Sequence, residues 1–344
     1  MKLVPGTLYF ISEVDVLTGQ NYDYYKIGLV KESRQGDSFD RAGEHQTGNP
    51  RQLVVRHTVE SPAINHLETL MHDLYATERI QGEWFVLPGN SVKKVLRNAQ
   101  ELVGEQSDLL NAATAADQFA ETASNDEILP ATTEASALFL SLQQAKFEQK
   151  EIKKVMATGK AFLLGLSESK FDTTSYFTTT RKTLPKLQED ELLLKYPDIY
   201  NQFVRETMVV SGSFTSSTPR DLALTLPKKL KVSLAEQSAR IENAGKRPSE
   251  ATVQEIHFHH LEFLGFSGSC TWREDQSSTH LKSLIKAASG IAGIATWNRK
   301  AKTTPKFVGA EFKKLYPDLA QELTIINETS SSAVVPMRRY VWPH

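Results

Sequence analysis

The sequence predicts an α+β protein with a small antiparallel β-sheet flanked by helices, followed by two related, mainly helical α+β modules. Two observations predict this class. Short alternating apolar runs, separated by turn residues and helical segments, fill the first hundred residues. Further along, residues 182–203 and 302–323 share a pattern of Lys, Thr, Pro, Glu, Tyr and Asp at a constant offset, which indicates an internal duplication.

Composition limits the classes of function. A chain of 344 residues with 40% hydrophobic and 24% charged residues can bury a core in two or three domains. Its 40 Lys and Arg balance 41 Asp and Glu, so any phosphate binding must come from local patches. The single cysteine, Cys270, excludes an internal disulfide and a cysteine-based zinc site.

Neither a membrane span nor export is indicated. The chain has no run of about 18 apolar residues, and its first residues lack the apolar core and cleavage pattern of a signal peptide. We therefore expect a cytoplasmic protein with no membrane partner.

Changes in composition predict the domain boundaries. Aromatic and alternating apolar residues give way to a polar helical run near residue 100, and two amphipathic blocks follow. The expected units are an N-terminal domain (1–100), a helical linker (101–130), a first repeat module (131–210), a second linker (211–250) and a second repeat module (251–344).

The first elements are predicted to be a β-hairpin. Residues 6–11 and 22–30 alternate as strands, and the Gly and Asn between them suit a turn. The hairpin carries Tyr9 and Lys26. Tyr25 would point to the opposite face from Lys26, because successive side chains in a strand alternate.

The next elements are a helix, a strand, a second helix and a closing strand. Arg41 and His45 stand four residues apart, on one face of a helix that the TGNP of residues 47–50 would end. A strand is predicted at 52–60, an amphipathic helix carrying Glu68 at 63–80, and the closing strand in GEWFVL at 82–87.

Six landmarks in this segment resemble those of a nuclease superfamily. They are LYF (8–10), YKIG (25–28), Arg41, TGNP (47–50), HLETLMH (66–72) and GEWF (82–85). Their order resembles the GIY-YIG superfamily, in particular its phage-associated branch with a KIG second motif. The resemblance covers only the first 90 to 100 residues. It implies a metal-dependent endonuclease that hydrolyses phosphodiester bonds in DNA, with RNA as an open alternative.

The resemblance also implies roles for single residues. Arg41 matches the guanidinium that stabilises charge on the attacked phosphate, and Glu68 matches the one carboxylate ligand of Mg²⁺ or Mn²⁺. Tyr9 matches the tyrosine that deprotonates or orients the attacking water. A phenol with a pKa near ~10 needs a neighbouring cation to act as a base, and Lys26 is the expected cation. His45 would contact a phosphate oxygen or shuttle the leaving-group proton.

One residue departs from the family pattern. Lys26 stands where the second motif of the family has tyrosine, so Tyr9 and Lys26 could share or exchange their roles. Structural interpretations stay open beside the catalytic ones: an ion pair of Arg41 with Asp37 or Glu44, a pair of Glu68 with His72, and a core position for Tyr9. A nucleic-acid-binding protein without turnover is therefore the main alternative function.

The duplicated segments predict equivalent helix ends. Tyr196-Pro197-Asp198 matches Tyr316-Pro317-Asp318, and proline ends a helix at the residue before it. The modules resemble a tail region of phage-type recombination exonucleases, which implies substrate positioning or assembly. An interaction protein that forms a homo-oligomer through the repeats is a further alternative. Basic clusters at 227–233 and 299–306 are candidate contacts to DNA phosphates.

Overall fold

The computed structural model describes residues 3–32, 38–168, 173–217 and 222–340, and Asp37 lies outside them. It has an N-terminal antiparallel sheet of five strands followed by long helices, which confirms the predicted α+β class. None of the helices in these ranges is long and apolar enough to cross a bilayer.

The N-terminal sheet contains the predicted hairpin, third strand and closing strand. Its strand order is β3-β1-β2-β5-β4, and all pairings are antiparallel. The elements are β1 (Gly6–Val14), β2 (Asn21–Lys31), α1 (Ser38–Gln46), β3 (Gln52–Ser61), α2 (Ile64–Leu74), β4 (Arg79–Gln81), β5 (Trp84–Val86) and α3 (Ser91–Ala120).

The predicted helix over 63–80 was too long at its C-terminal end. Helix α2 ends at Leu74, and the residues from Arg79 form the edge strand β4 instead. The reason is tertiary: Arg79 pairs with Phe85 of the next strand, and Gly82 takes the positive φ of +52° that the turn between them requires.

The two faces of this sheet pack against different helices. Side chains alternate along β1, so Leu8 and Phe10 join a core with α2 and α3, whereas Tyr9 and Ile11 join a second core with α1. Both faces of the central strands are therefore covered.

The rest of the chain is built on two long helices. The remaining elements are β6 (Ile128–Leu129), α4 (Thr133–Leu164), two short 3-10 helices (Gly165–Glu168 and Thr173–Ser175), β7 (Phe177–Leu187), α5 (Glu189–Lys195), α6 (Pro197–Gln202), β8 (Val204–Ser211), β9 (Thr215–Ser216), α7 (Lys228–Asn243), α8 (Glu250–Ile285), β10 (Gly290–Ile291), β11 (Ala295–Thr296), β12 (Lys300–Phe307), α9 (Gly309–Leu315), α10 (Pro317–Glu322) and β13 (Thr324–Val334).

Helices α4 and α8 form an antiparallel pair. The start of α4 packs near the end of α8, with Phe139 and Leu281 in one core, and the end of α4 packs near the start of α8, with Leu163 and Ile256 in another. Trp272 of α8 packs with Leu70 and Leu109 of the N-terminal part. Helix α3 runs through the predicted boundary at residue 100, so the domain limits stay a prediction from sequence.

The two duplicated segments have the same conformation. Strand, helix, helix and strand follow one another in β7-α5-α6-β8 and again in β12-α9-α10-β13. Tyr196 and Tyr316 end the first helix of each unit with nearly the same backbone angles, φ −135° and ψ 56° against φ −126° and ψ 61°, and Pro197 and Pro317 begin the second. The helix ends are thus equivalent.

The two units exchange strands. β7 pairs with β13, and β8 pairs with β12, in two separate two-stranded sheets. We call β7/β13 ribbon 1 and β8/β12 ribbon 2. Leu187 lies opposite Thr324 in ribbon 1, and Phe307 lies opposite Val204 in ribbon 2. Leu187 and Phe307 are equivalent positions of the two segments, as are Val204 and Thr324, so the two ribbons have the same register. A pseudo-two-fold axis therefore relates the units.

The ribbons, the helix pair and a small apolar tip form a frame. The tip is the core between α5, α6, α9 and α10, where Leu192 and Phe312 occupy equivalent positions. Ribbon 1 meets the helix pair at His257, whose Nε2 donates to the Val335 carbonyl at 2.9 Å. Ribbon 2 meets it near Phe214, which packs with Leu281 and Ile285.

The two ribbons begin at separate places on the helix pair. His257 and Leu281 lie about 36 Å apart along α8 at ~1.5 Å per residue. The strands of ribbon 1 and ribbon 2 span about 35 and 25 Å at ~3.4 Å per residue, and they converge on the single tip core. Each ribbon therefore connects the helix pair to the tip.

Candidate active site

Tyr9 lies in the sheet directly opposite Gly28. The Tyr9 side chain is 1% exposed, and its ring covers the backbone of Gly28. A Cβ atom at position 28 would overlap the Tyr9 hydroxyl and ring. The glycine of YKIG is therefore required because the Tyr9 side chain occupies the space above it.

Lys26 points to the same face and forms an ion pair with Glu83. Its Nζ lies 2.5 Å from Glu83 Oε2, and the two side chains are 11% and 39% exposed. Glu83 follows Gly82 in the turn between β4 and β5, next to the strand pairing of Lys26 with Trp84. The bond with Lys26 lowers the pKa of Glu83 although burial opposes this, so Glu83 is ionised at neutral pH.

Helix α1 places Arg41 and His45 beside these residues. The Arg41 guanidinium lies within hydrogen-bonding reach of the Tyr9 hydroxyl and forms an ion pair with Glu44. Burial, followed by the charges of Lys26 and Arg41, lowers the pKa of His45. Its imidazole is therefore neutral at pH 7, and its buried Nε2 has no partner in the described part of the chain.

Glu68 approaches from α2, on the opposite face of the sheet. Burial, and then the negative charge of Glu83, raise the pKa of Glu68 to about 7, while Arg79, Lys26 and Lys31 oppose the rise. Its carboxyl group therefore lies in the electrostatic field of the Lys26–Glu83 pair. The alternative pair with His72 does not form, because His72 Nε2 donates to the Ile27 carbonyl at 2.9 Å.

Five of these side chains meet at one open pocket of about 460 Å³, lined among others by Lys26, Arg41, His45, Glu83 and Trp84. Tyr9 lies behind Arg41 in the adjoining core. Glu68 is not among the lining residues, and its link to the pocket is electrostatic, through Glu83. The arrangement brings a guanidinium, a neutral imidazole and an ionised carboxylate to one surface.

The prediction that Lys26 is the cation beside Tyr9 was wrong. Arg41, rather than Lys26, is the cation beside the Tyr9 hydroxyl, and Lys26 is engaged with Glu83. Burial raises the pKa of Tyr9, and Arg41 offsets this only in part. Tyr9 is therefore protonated at neutral pH. The expected ion pair of Arg41 with Glu44 is present, as is the apolar setting of Tyr9.

Glu83 is the residue that sequence reasoning missed. The GEWF segment indicates the closing strand and is one of the six landmarks, but neither observation assigns a role to its acid, which stands beside the aromatic pair. The available signal was the pairing of this strand with β2, which brings Glu83 to Lys26 across 57 positions of sequence. Tyr25 faces the other core, as the strand alternation predicted.

The acids at this site are too few for a protein-only metal cage. Within the described ranges no group of three or more His, Cys, Asp or Glu side chains could hold a metal ion. A site with one or two carboxylates, completed by water and substrate oxygens, is the kind that Mg²⁺ commonly uses.

The N-terminal part of the chain is similar to a known domain family. Residues 6–100 match the T5orf172 domain. This is a phage-associated domain linked to GIY-YIG-like, nuclease-type folds, and the match supports a nuclease-like or DNA-binding role for the N-terminal part. No curated protein and no solved structure matches the chain.

Proposed function

We propose that the T5orf172 domain of this protein is a metal-dependent endonuclease that hydrolyses phosphodiester bonds in DNA. The observation that supports it most is the pocket at which Arg41, His45 and the Lys26–Glu83 pair meet, with Glu68 in the electrostatic field of Glu83. A phosphate needs a fixed cation, a proton acceptor and a site for a divalent ion, and these side chains are of the right types.

The surroundings of Glu68 fit a divalent cation. Its carboxylate makes no hydrogen bond or ion pair with other described residues, and burial, followed by the negative charge of Glu83, raises its pKa to about 7. Mg²⁺ or Mn²⁺ at Glu68, with Glu83 close by, would supply Lewis-acid stabilisation of the phosphate and a more acidic bound water.

The chain's own residues then divide the remaining work. Arg41 holds the attacked phosphate and its developing charge, since its guanidinium lines the pocket. Tyr9, protonated, buried and in reach of Arg41, holds the Arg41 guanidinium in position from behind the pocket. His45, neutral and lining the pocket, is the proton acceptor. Lys26 holds Glu83 in place.

The direct test is a cleavage assay with a matched variant. Supercoiled and single-stranded DNA are incubated with the wild type and with Glu68→Gln, in Mg²⁺, Mn²⁺ or EDTA. Wild-type cleavage should require metal, and Glu68→Gln should cleave at least ~100-fold more slowly while DNA binding stays nearly intact. Glu60→Gln, an exposed acid on β3, is the control and should cleave normally. Normal cleavage by Glu68→Gln would refute the metal site.

A binding protein without turnover is the second candidate. Two observations favour it: Lys26 is neutralised by Glu83, and Tyr9 lacks the lowered pKa of a base. A wild type that binds DNA but is inert with every metal would establish it. Homo-oligomerisation through the repeats is a weaker proposal, because the two repeats already pair with each other within one chain.

A further inference from the structure

The two ribbons concentrate positive charge that the chain as a whole lacks. Most residues of their four strands are exposed, on both faces. They carry seven basic residues and only two acids, Glu206 and Glu328, while the whole chain has 40 basic and 41 acidic residues. The basic residues are Arg181, Lys182, Lys186, Arg205, Lys300, Lys302 and Lys306.

In ribbon 2 the cations share one face. Lys300, Lys302 and Lys306 alternate along β12, and Arg205 lies directly opposite Lys306, so all four side chains point the same way. Glu206 lies opposite Pro305 and points to the other face. The strand residues of this face are thus basic and include no acid, and Glu311 of α9 pairs with Arg205 at the end near the tip.

Ribbon 1 repeats this arrangement through the pseudo-two-fold axis. Lys182 and Lys186 are the equivalents of Lys302 and Lys306, and they too share one face. Glu328 lies opposite Thr183 and points to the other face. Thr and Ser hydroxyls fill much of the remaining surface of both ribbons. The duplication has therefore kept one lysine pair on the matching face of each ribbon.

These lysines are available to a ligand. Within the described ranges none of the five ribbon lysines forms an ion pair. A lysine-rich stretch of α4 differs: Lys154 pairs with Glu151 at 2.6 Å, and Lys146 donates to Ser216 at 2.7 Å. The ribbons are the less neutralised of the two surfaces.

We propose that the basic faces of the two ribbons bind the phosphate backbone of DNA, without reading its sequence. Lysines bound to successive phosphates release condensed counterions, which favours binding, and hydroxyls add hydrogen bonds to phosphate oxygens. Binding of the phosphate backbone in this way does not require apolar contacts between the ribbons and DNA. The choice of DNA as the polyanion rests on the proposed function, whereas the phosphate-binding surface rests on the ribbons alone. The frame then holds DNA for the N-terminal domain.

The test measures binding apart from cleavage. Fluorescent 30-nucleotide single strands and duplexes are titrated with the full chain in EDTA, at a series of salt concentrations. In the variant K182A/K186A/K302A/K306A we expect binding to weaken by about 10- to 100-fold near 100 mM salt. The slope of log K against log salt should fall by about 3 to 4 for duplex and somewhat less for single strands.

The control removes the same charge elsewhere. K93A/K94A/K154A/K160A changes four exposed lysines on α3 and α4, away from the ribbons and from the basic cluster at 227–233, and should bind nearly as the wild type does. An unchanged slope in the ribbon variant, or an equal loss in the control variant, would overturn the inference. Cleavage at saturating DNA is measured in parallel: a ribbon variant that binds weakly but cleaves normally when saturated supports ribbon binding, and a loss confined to Glu68→Gln bears on the active site alone.

Discussion

The N-terminal sheet and the C-terminal ribbons are both antiparallel, yet they use their side chains in opposite ways. In the sheet, Leu8 and Phe10 on one face and Tyr9 on the other are at most 1% exposed. In ribbon 1, by contrast, nine consecutive positions of β7 are exposed. Covering both faces fixes side-chain positions and desolvates charges, as the pKa of about 7 for Glu68 shows. Leaving both faces bare keeps charges solvated.

This difference predicts two kinds of energetics. In the buried site a single side chain should contribute a large, specific effect, because its position is fixed and water is displaced. On the ribbons each lysine should contribute a small effect that depends on salt, and only the sum should be large. The following substitutions compare the two regions directly.

The two regions should differ most when a single cation is removed from each of them. Arg41→Ala should slow cleavage by about 100- to 1000-fold and weaken DNA binding, because it removes a fixed charge at the phosphate. Lys306→Ala should weaken binding only a few-fold and lower the salt slope by about 1. Single-turnover cleavage and binding isotherms measure both. Equal effects of the two substitutions would remove the proposed distinction between site and ribbon.

A substitution that disturbs side-chain packing should lower the free energy of unfolding more in the sheet than on the ribbons. Gly28→Ala should destabilise the protein by about 1–3 kcal/mol, because the added methyl overlaps the Tyr9 hydroxyl. Thr303→Val on the exposed ribbon should change stability by less than about 0.5 kcal/mol. Gly43→Ala, a helical glycine with open space at its Cβ, is the matched control and should not destabilise. Denaturant unfolding measures all three.

The coupling energy of an ion pair should also be larger in the buried site than on the exposed surface. A double-mutant cycle of Lys26→Met and Glu83→Gln should give a coupling energy of about 1–2 kcal/mol, because the pair is half-buried and hydrogen-bonded. The exposed pair of Arg205 with Glu311, at 3.4 Å, should couple by about 0.5 kcal/mol or less. A larger coupling for the exposed pair would contradict the assigned role of burial.

The smallest expected effect is a pH dependence of stability. The pKa of Glu68 rises from 4.5 to about 7 on folding, so its contribution to stability is complete below pH 4.5 and is lost as pH rises through 7. Metal-free wild type should therefore lose about 1 kcal/mol more between pH 5 and pH 8 than Glu68→Gln does, after allowing for solvent screening. Glu328→Gln on ribbon 1 should behave as wild type. Urea unfolding at the two pH values tests this.

Part of the site could be predicted from local sequence, and part could not. The strand that carries Tyr9 and the helix that carries Arg41 and His45 both show clear periodicity in the sequence. Strand and helix geometry therefore predict which face each of these side chains occupies. Glu83 resembles any surface acid beside an aromatic strand, and only its ion pair with Lys26 shows its importance. Lys26 was expected beside Tyr9 because both residues belong to the predicted hairpin. In the folded chain Arg41 of α1 is the cation next to the Tyr9 hydroxyl.

Sequence by itself determined the α+β class, the hairpin and the order of the first strands and helices, because these depend on short-range periodicity and turn residues. It also showed the shared pattern of residues 182–203 and 302–323. Tertiary structure alone decided which strands pair. A hairpin of β7 with β8 would satisfy the same local pattern, yet β7 pairs with β13 and β8 with β12. Pairing across such separations depends on the α4–α8 pair and the shared tip core, which set where the strands can meet.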